Sequence, residues 1–469
     1  MAADPNWAVL PSVSLVEIFS YLSHDGKLKA SSVCKRWRSC LFHPNLWQKI
    51  DFQLHSSKRI QSKFLADRCG HFVREITIKF CSHNITDVRE CGRILEIMKS
   101  NRNLQKFCLQ PSSCHLEWPE NNSVYIFDRY LDSIEGIIRN SRKLRHFSLG
   151  CLEELLEHLL EHSSTFLSLL TRHSRSLQCL HLASVKEDSE GYRIVELDPK
   201  LFHPFTSLQQ LSIDYDHLTN QLLESFTFNN KAKLEKLIIH VHGVEADHER
   251  ITNSSWHDIR SHCPNLQVTL NLIHSFDGVE ALLDILQPSL PLAHFRQFFC
   301  THLNTTAMGY FATHYRTTLR SVHIIDGLMD GYPVPYTSAA EEDPFVMLSW
   351  RCSLLTDFTL IGYEISDEDV IAISRLRGTG LKTFDIPRCC ITTVGETEEE
   401  EMWGYPPQIN FQAFSDQVSD SLSWTWHPLD DQELPLAVFD AEADAETAYM
   451  DILLEENSDQ SLPVNGLSR

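Results

Sequence analysis

His240 and His242, one residue apart, with Asp247 and His248 close behind, form the best metal-ligating group in this 469-residue chain. On an extended strand the two imidazoles would share a face, which suits zinc. Zinc needs three or four ligands, however, and no further ligand stands at a recognisable spacing. The fourteen cysteines include no C-x-x-C pair, so a zinc ribbon or RING-type module is excluded. The expectation is a partly exposed histidine pair at a strand end, with no bound metal.

Nucleophilic chemistry fares no better. There is no G-x-S-x-G elbow, and Cys179, Cys263 and Cys300 read as core or strand thiols. Cys34 has Lys35 and Arg36 beside it, which favours a thiolate, yet its apolar neighbours favour packing. Cys389 and Cys390 read as ordinary thiols at a strand end. Glycine is scarce, at 17 residues, and no phosphate-cradling pattern occurs. Gly378-Thr379-Gly380 follows an expected helix over 370–377 and reads as its C-cap. No catalytic residue and no cofactor is expected.

The elements that carry these residues form a repeat. The pattern L-x-x-L-x-L, with conservative variants, recurs at Val73-Ile76-Ile78, Leu104-Phe107-Leu109, Leu144-Phe147-Leu149, Leu177-Leu180-Leu182 and Leu208-Leu211-Ile213. It continues at Leu234-Leu237-Ile239, Leu319-Val322-Ile324, Leu355-Phe358-Leu360 and Leu381-Phe384-Ile386, with degenerate copies near Leu266 and Leu292. Helical periodicity fills the gaps, as at 91–98, 151–160, 218–226 and 281–286. This is the pattern of leucine-rich repeats: a short strand and a returning helix per unit, stacked into a curved parallel sheet with helices on the convex side. The fold class expected is α/β, a solenoid over residues 51–395.

Because side chains alternate along a strand, the residues between the apolar positions point to the other, concave face. They include Glu75, Thr77 and Lys79; Lys106, Cys108 and Gln110; Cys179 and His181; Gln210, Ser212 and Asp214; Lys236, Ile238 and His240; His323; and Asp357 and Thr359. This face is polar with little single-sign charge, which suits a protein segment. The candidate target face is Thr77, Lys79, Lys106, Gln110, His181, Ser212, Asp214, Lys236, His240, His323 and Thr359.

Residues 7–50 stand apart. Leu15, Ile18, Phe19 and Leu22 make one helical stripe; Val33 and Trp37 repeat the i, i+4 spacing after the Ser23-His24-Asp25-Gly26 break. About forty residues cannot bury so many apolar groups alone. Leu10-Pro11, Ile18 to Leu22, Val33 to Arg38 and Leu46-Trp47 resemble an F-box, the module that docks on the Skp1 adaptor of cullin ubiquitin ligases. Val13 stands where the family usually has an acidic residue, a loss of a fraction of a kcal/mol at the helix start. The resemblance implies Skp1 contacts at Leu10, Pro11, Leu15, Ile18, Phe19, Leu22, Leu28, Val33, Cys34, Leu46 and Trp47, with Trp37 locking the helices together.

Further stretches resemble a member of the same family: 101–107, 342–344 with 350–352, 371–378, and 417–419 leading to Trp426-His427. The resemblance implies a non-catalytic substrate receptor, with Skp1, a cullin and a RING subunit as partners, a protein target on the repeats, and ubiquitination and proteasomal degradation of that target as the outcome. The alternative is a ligase-independent repeat scaffold or inhibitor. A HECT-type catalytic lobe is excluded, since no cysteine follows Cys390.

Charge agrees. Of the net −22, residues 396–469 carry −17, from 18 acidic residues and one basic. A nearly balanced body with an acidic end suits neither nucleic acid nor anionic membrane. No secretory start and no membrane-length apolar run is present, so a reducing interior, cytoplasmic or nuclear, is expected. Residues 327–343 read as an insertion, because Gly331, Pro333 and Pro335 oppose regular structure. Residues 396–402 read as a solvated acidic loop, which could dock a basic partner, 403–457 as atypical closing units, and 458–469 as a flexible tail. Within the closing units Phe411, Phe414, Val418 and Leu422 predict a helix, 434–439 a final strand and 442–454 a last helix. Trp424 and Trp426 are expected in the core there.

Overall fold

The computed structural model describes residues 10–55, 57–119, 123–161, 163–188, 191–195, 197–227, 234–245, 248–336, 342–393 and 409–456. The expected acidic loop, the tail and Asp247 lie outside the described residues, as do the first three residues of the N-terminal block. The described chain divides into two compact units, Met1–Gly150 with His162–Gln178, and Cys151–Glu161 with Cys179–Arg469.

The first unit opens with three helices, α1 (Ser12–Ser20), α2 (His24–Ser31) and α3 (Lys35–Leu41). Ser23 caps α2 by accepting the Gly26 N–H at 3.1 Å, which satisfies a donor the helix itself leaves free. α3 packs on both partners, and the Phe19 ring meets Trp37 edge-on at 5.5 Å. A 3-10 turn at Pro44–Leu46 then folds Trp47 into the middle. Its indole N–H donates to the Leu41 carbonyl, and Lys27 Nζ lies 5.4 Å from its ring.

Four parallel strands follow in chain order, β1 (Lys49–Gln53), β2 (Glu75–Phe80), β3 (Lys106–Pro111) and β4 (His146–Ser148). Strand β1 is one repeat more than the sequence pattern suggests. Its register pairs Ile50 with Ile76 and Phe52 with Ile78, so Trp47 holds the leading position of a W-x-x-I-x-F copy. The repeat therefore begins inside the N-terminal block and shares Trp47 with it. Asn101 closes the turn before β3 by donating to the Gly70 and Val73 carbonyls at 2.8 and 2.7 Å.

The second unit carries β5 (Cys179–His181), β6 (Gln210–Asp214), β7 (Lys236–Val241), β8 (Gln267–Ile273), β9 (Leu292–Phe298), β10 (Ser321–Ile325), β11 (Asp357–Ile361), a short β12 (Ile365–Ser366), β13 (Thr383–Asp385) and β14 (Ile391–Thr392). The long strands pair in parallel and in order, with β13 beside β11; β12 and β14 form a separate pair. The apolar positions face the returning helices: Phe295 meets Phe311 at 4.9 Å, and Phe358 meets Phe345 at 5.3 Å. Helix Asp367–Arg377 is capped by Ser366 and ends at Gly378, φ +52°, a backbone state glycine adopts without penalty. Both degenerate repeats are full strands, β8 and β9, because their buried faces are as apolar as the others.

Helix Phe411–Leu422 buries Phe414, Val418 and Leu422 of the expected stripe, and Phe411 at its start is half-buried. Trp426 is buried as expected, its indole N–H donating to the Phe384 carbonyl at 2.6 Å, whereas Trp424, also expected in the core, is exposed and donates its indole N–H to the Leu381 carbonyl at 3.1 Å. The strand expected over 434–439 is instead a 3-10 turn at Leu436–Val438. Pro435, which has no N–H to offer a ladder, stands directly before it. The last helix is Glu446–Glu456, displaced four residues at its start from the expectation. Among the described residues of the 327–343 insertion, Met329 bridges Tyr332 and Val334 bridges Tyr363.

Candidate functional site

The apolar residues of the N-terminal block divide by exposure. Leu15, Phe19, Leu46 and Trp47 are sealed inside the first unit. The expectation that they wait for a second chain is corrected: three helices and β1 supply enough surface to bury them. Leu10, Leu22, Leu28, Cys34 and Trp37 are half-buried, and Pro11 is exposed. Ile18 is 42 % exposed, Val33 65 %, Val13 81 % and Tyr21 82 %. Large apolar side chains left in water by an otherwise well-packed block make this a candidate interaction surface. Val13 and Tyr21 stand within the motif but were not counted among its contacts; exposure alone singles them out.

The second unit builds its face from two polar rows. Parallel pairing aligns Asp214, His240, Asn271, Arg296, His323, Thr359 and Asp385 across β6, β7, β8, β9, β10, β11 and β13. Two residues earlier on each strand runs a second row through Ser212, Ile238, Thr269, His294, Ser321, Asp357 and Thr383. Alternation thus places the outward residues as the sequence predicts.

Their exposure is not as expected. His181, Ser212, Asp214, His240, His323 and Thr359 are buried, while Thr77, Lys106 and Gln110 are half-buried and Lys79 and Lys236 exposed. Over β6, β8 and β9 the cover is the chain's own final helix. Glu456 accepts from Asn271 Nδ2 at 3.3 Å and pairs with Arg296 at 2.7 Å. Its carbonyl accepts from Gln210 Nε2 at 2.8 Å. Sequence spacing carries no signal of contacts 160 to 246 residues apart.

His240 and His242 are likewise buried rather than on a rim. Asp214 joins them, one ligand atom from each lying within 4.8 Å of the others. Most of the group's polar atoms are nevertheless already engaged, with His242 Nδ1 buried and left over. The Asp214 carboxylate accepts from Ser184 N at 2.8 Å and Ser184 Oγ at 2.6 Å. His240 Nδ1 and His242 Nε2 both bond the Ser184 carbonyl, at 2.7 and 3.0 Å. Lys186 Nζ supplies the positive charge, 3.9 Å from Asp214, 3.5 Å from Glu153 and 3.9 Å from Glu157. An ammonium already placed there opposes a divalent cation. His248 packs instead on the Tyr215 ring at 4.6 Å.

Electrostatics keep this group in one state at neutral pH. Burial pushes the His242 imidazole down to about 3, and lowers His240 as well. Burial alone would raise Asp214, but Lys186 and the three nearby histidines outweigh it and hold the carboxyl below its ordinary value. Asp216, buried beside Asp214, is raised to about 6. The cavity beside them, lined by Ser184, Lys186, Tyr192 and Asp214, is about 10 Å³, room for a single water. Lys186, Ser184 and Asp214 were not joined to the histidine pair from sequence, since three separate strand ends bring them together.

Comparison with known proteins assigns the first block its class: the F-box-like family model matches residues 7–53, so the chain carries an F-box-like domain at its N-terminus. Along most of its length the chain is also similar to named F-box proteins. It is 28 % identical to F-box only protein 33 of Homo sapiens, over 92 % of this chain and 84 % of the relative. The Mus musculus protein of the same name is 29 % identical over the same shares. F-box/LRR-repeat protein 21 of Mus musculus is 21 % identical, over 81 % of this chain and 82 % of the relative. Among the described residues no helix is long and apolar enough to cross a membrane.

Proposed function

We propose that this chain is a substrate receptor of a Skp1–cullin–RING ubiquitin ligase, binding Skp1 through residues 7–50 and a protein target through its repeats. The carrying observation is the F-box-like match on a block that leaves Ile18, Val33, Pro11 and Tyr21 in water. The chain itself does no chemistry in this reading. It holds target lysines near the ubiquitin-charged partner, raising their effective concentration. Degradation of the target and a cytoplasmic or nuclear setting belong to the same proposal. Within the Skp1 surface, Leu10, Pro11, Ile18, Leu22, Leu28, Val33 and Cys34 make contact, while Leu15, Phe19, Leu46 and Trp47 hold the helices in place.

The test is capture of purified Skp1 at micromolar concentration. Wild type binds, and Ile18→Glu with Val33→Glu weakens binding by at least about tenfold, or 1.4 kcal/mol, without lowering the melting temperature. Wild-type protein that leaves Skp1 unbound overturns the reading and leaves the ligase-independent scaffold in its place.

A further inference from the structure

The last stretch of the second unit runs back across its own sheet. The Val438 carbonyl accepts the Leu328 N–H at 2.8 Å, just beyond β10. Tyr449 then stacks on Phe298 of β9 at 5.1 Å and meets His274 Nε2 through its hydroxyl at 2.9 Å. Glu456 reaches Gln210, Asn271 and Arg296, as described above. Phe298, Arg296, Asn271 and Gln210 all lie on the outward parity of their strands, the face without returning helices. Tyr449 and Glu456 are seven residues apart, two turns of one helix, so they lie on the same side of it.

Uncovered, this face would be costly. Arg296 is 2 % exposed, and among the described residues its ion pair is with Glu456. A guanidinium set among buried Asn271 and His323 calls for a carboxylate, and Phe298 calls for an apolar ring. We propose that the outward face of β6 to β9 is a groove for an amphipathic helix bearing an aromatic residue and, two turns on, a carboxylate, and that helix Glu446–Glu456 is a resident occupant which a target helix of that chemistry displaces. The proposal rests on the target-binding reading above and names its surface. An eleven-residue helix is marginal by itself, so the resident is held by the groove and its tether rather than by its own stability.

The probe is a fluorescein-labelled peptide copying residues 445–456, added to the full-length chain. In wild type the tethered helix keeps the peptide out. Glu456→Arg removes the resident's charge partner; peptide affinity then rises at least about tenfold and amide exchange across 446–456 quickens by a similar factor. Glu456→Gln gives a smaller change of the same sign and serves if the reversal impairs folding. Arg296→Glu combined with Glu456→Arg restores slow exchange and excludes the peptide, whose own carboxylate now meets a glutamate. Unchanged exchange at 446–456 in both single variants, or no gain in peptide binding, overturns the groove. Skp1 capture on the same samples separates the two ideas: its loss in wild type removes the ligase role, and leaves the groove to the peptide result.

Discussion

At the scale of single residues, the second unit is organised by a few buried polar groups that answer one another. Asp214 is tied to Ser184 twice and faces Lys186. Truncating one member of a buried ionic set leaves the rest uncompensated, so Asp214→Ala is expected to cost roughly 3–5 kcal/mol. A urea titration of the variant reads this as a lower midpoint at unchanged slope. The histidines give a pH dependence with a definite sign. His242 and His323 are held near 3 by burial, with Arg296 adding to the effect at His323. In the unfolded chain each titrates near 6.5, so between those values the unfolded state binds protons that the folded state refuses. Stability therefore rises with pH through that window and levels off above it. Asp216, raised to about 6, acts oppositely between about 4 and 6, and Asp326, Asp343 and Glu157, raised by burial, act in the same sense. Against them His294 is also held near 3, and the histidine shifts are the larger. The urea midpoint at pH 5.5 is expected to fall below that at pH 7.5, and His323→Asn to flatten the difference.

At the scale of elements, α1 and the final helix show the same division of labour. In α1 the Leu15 and Phe19 side holds the block together while Ile18 faces water. Inward and outward substitutions should therefore separate: Phe19→Ala lowers stability by roughly 3–5 kcal/mol, whereas Ile18→Glu changes partner binding and leaves melting intact. β13, the end strand of the long sheet, is closed off by helix Phe411–Leu422 and by Trp426, buried against Phe384 and Phe414. Trp426→Ala opens a cavity at that edge and also strands the Phe384 carbonyl. Hydrogen exchange should show β13 losing protection before β6 to β10, since a stacked array comes apart from its ends.

At the scale of the molecule, most of the plan is written in local pattern. The nine recognised repeats and the two degenerate ones needed only alternation and spacing, because a stacked strand must bury the same two positions each time. The N-terminal block was legible for the same reason, as a stripe of i, i+3, i+4 apolar residues. What stayed hidden was shared or distant. Trp47 belongs at once to the helical block and to the first repeat, so β1 went unseen. The outward face was identified by parity, yet its burial was not foreseen, since Glu456 and Tyr449 reach it from the far end of the chain.

The amino-acid order by itself settled which side chains point inward, all but the first of the strand–helix units, and that the first forty residues form a separate helical block. These follow from periodicity, which acts over a few residues. Only tertiary structure decided which of those apolar residues stay in water, that Asp214 and Lys186 join the histidine pair in one buried polar network, and that helix Glu446–Glu456 lies on the outward face of the sheet. Those outcomes depend on surfaces meeting across hundreds of residues, where burial and charge pairing, rather than spacing, choose the partner.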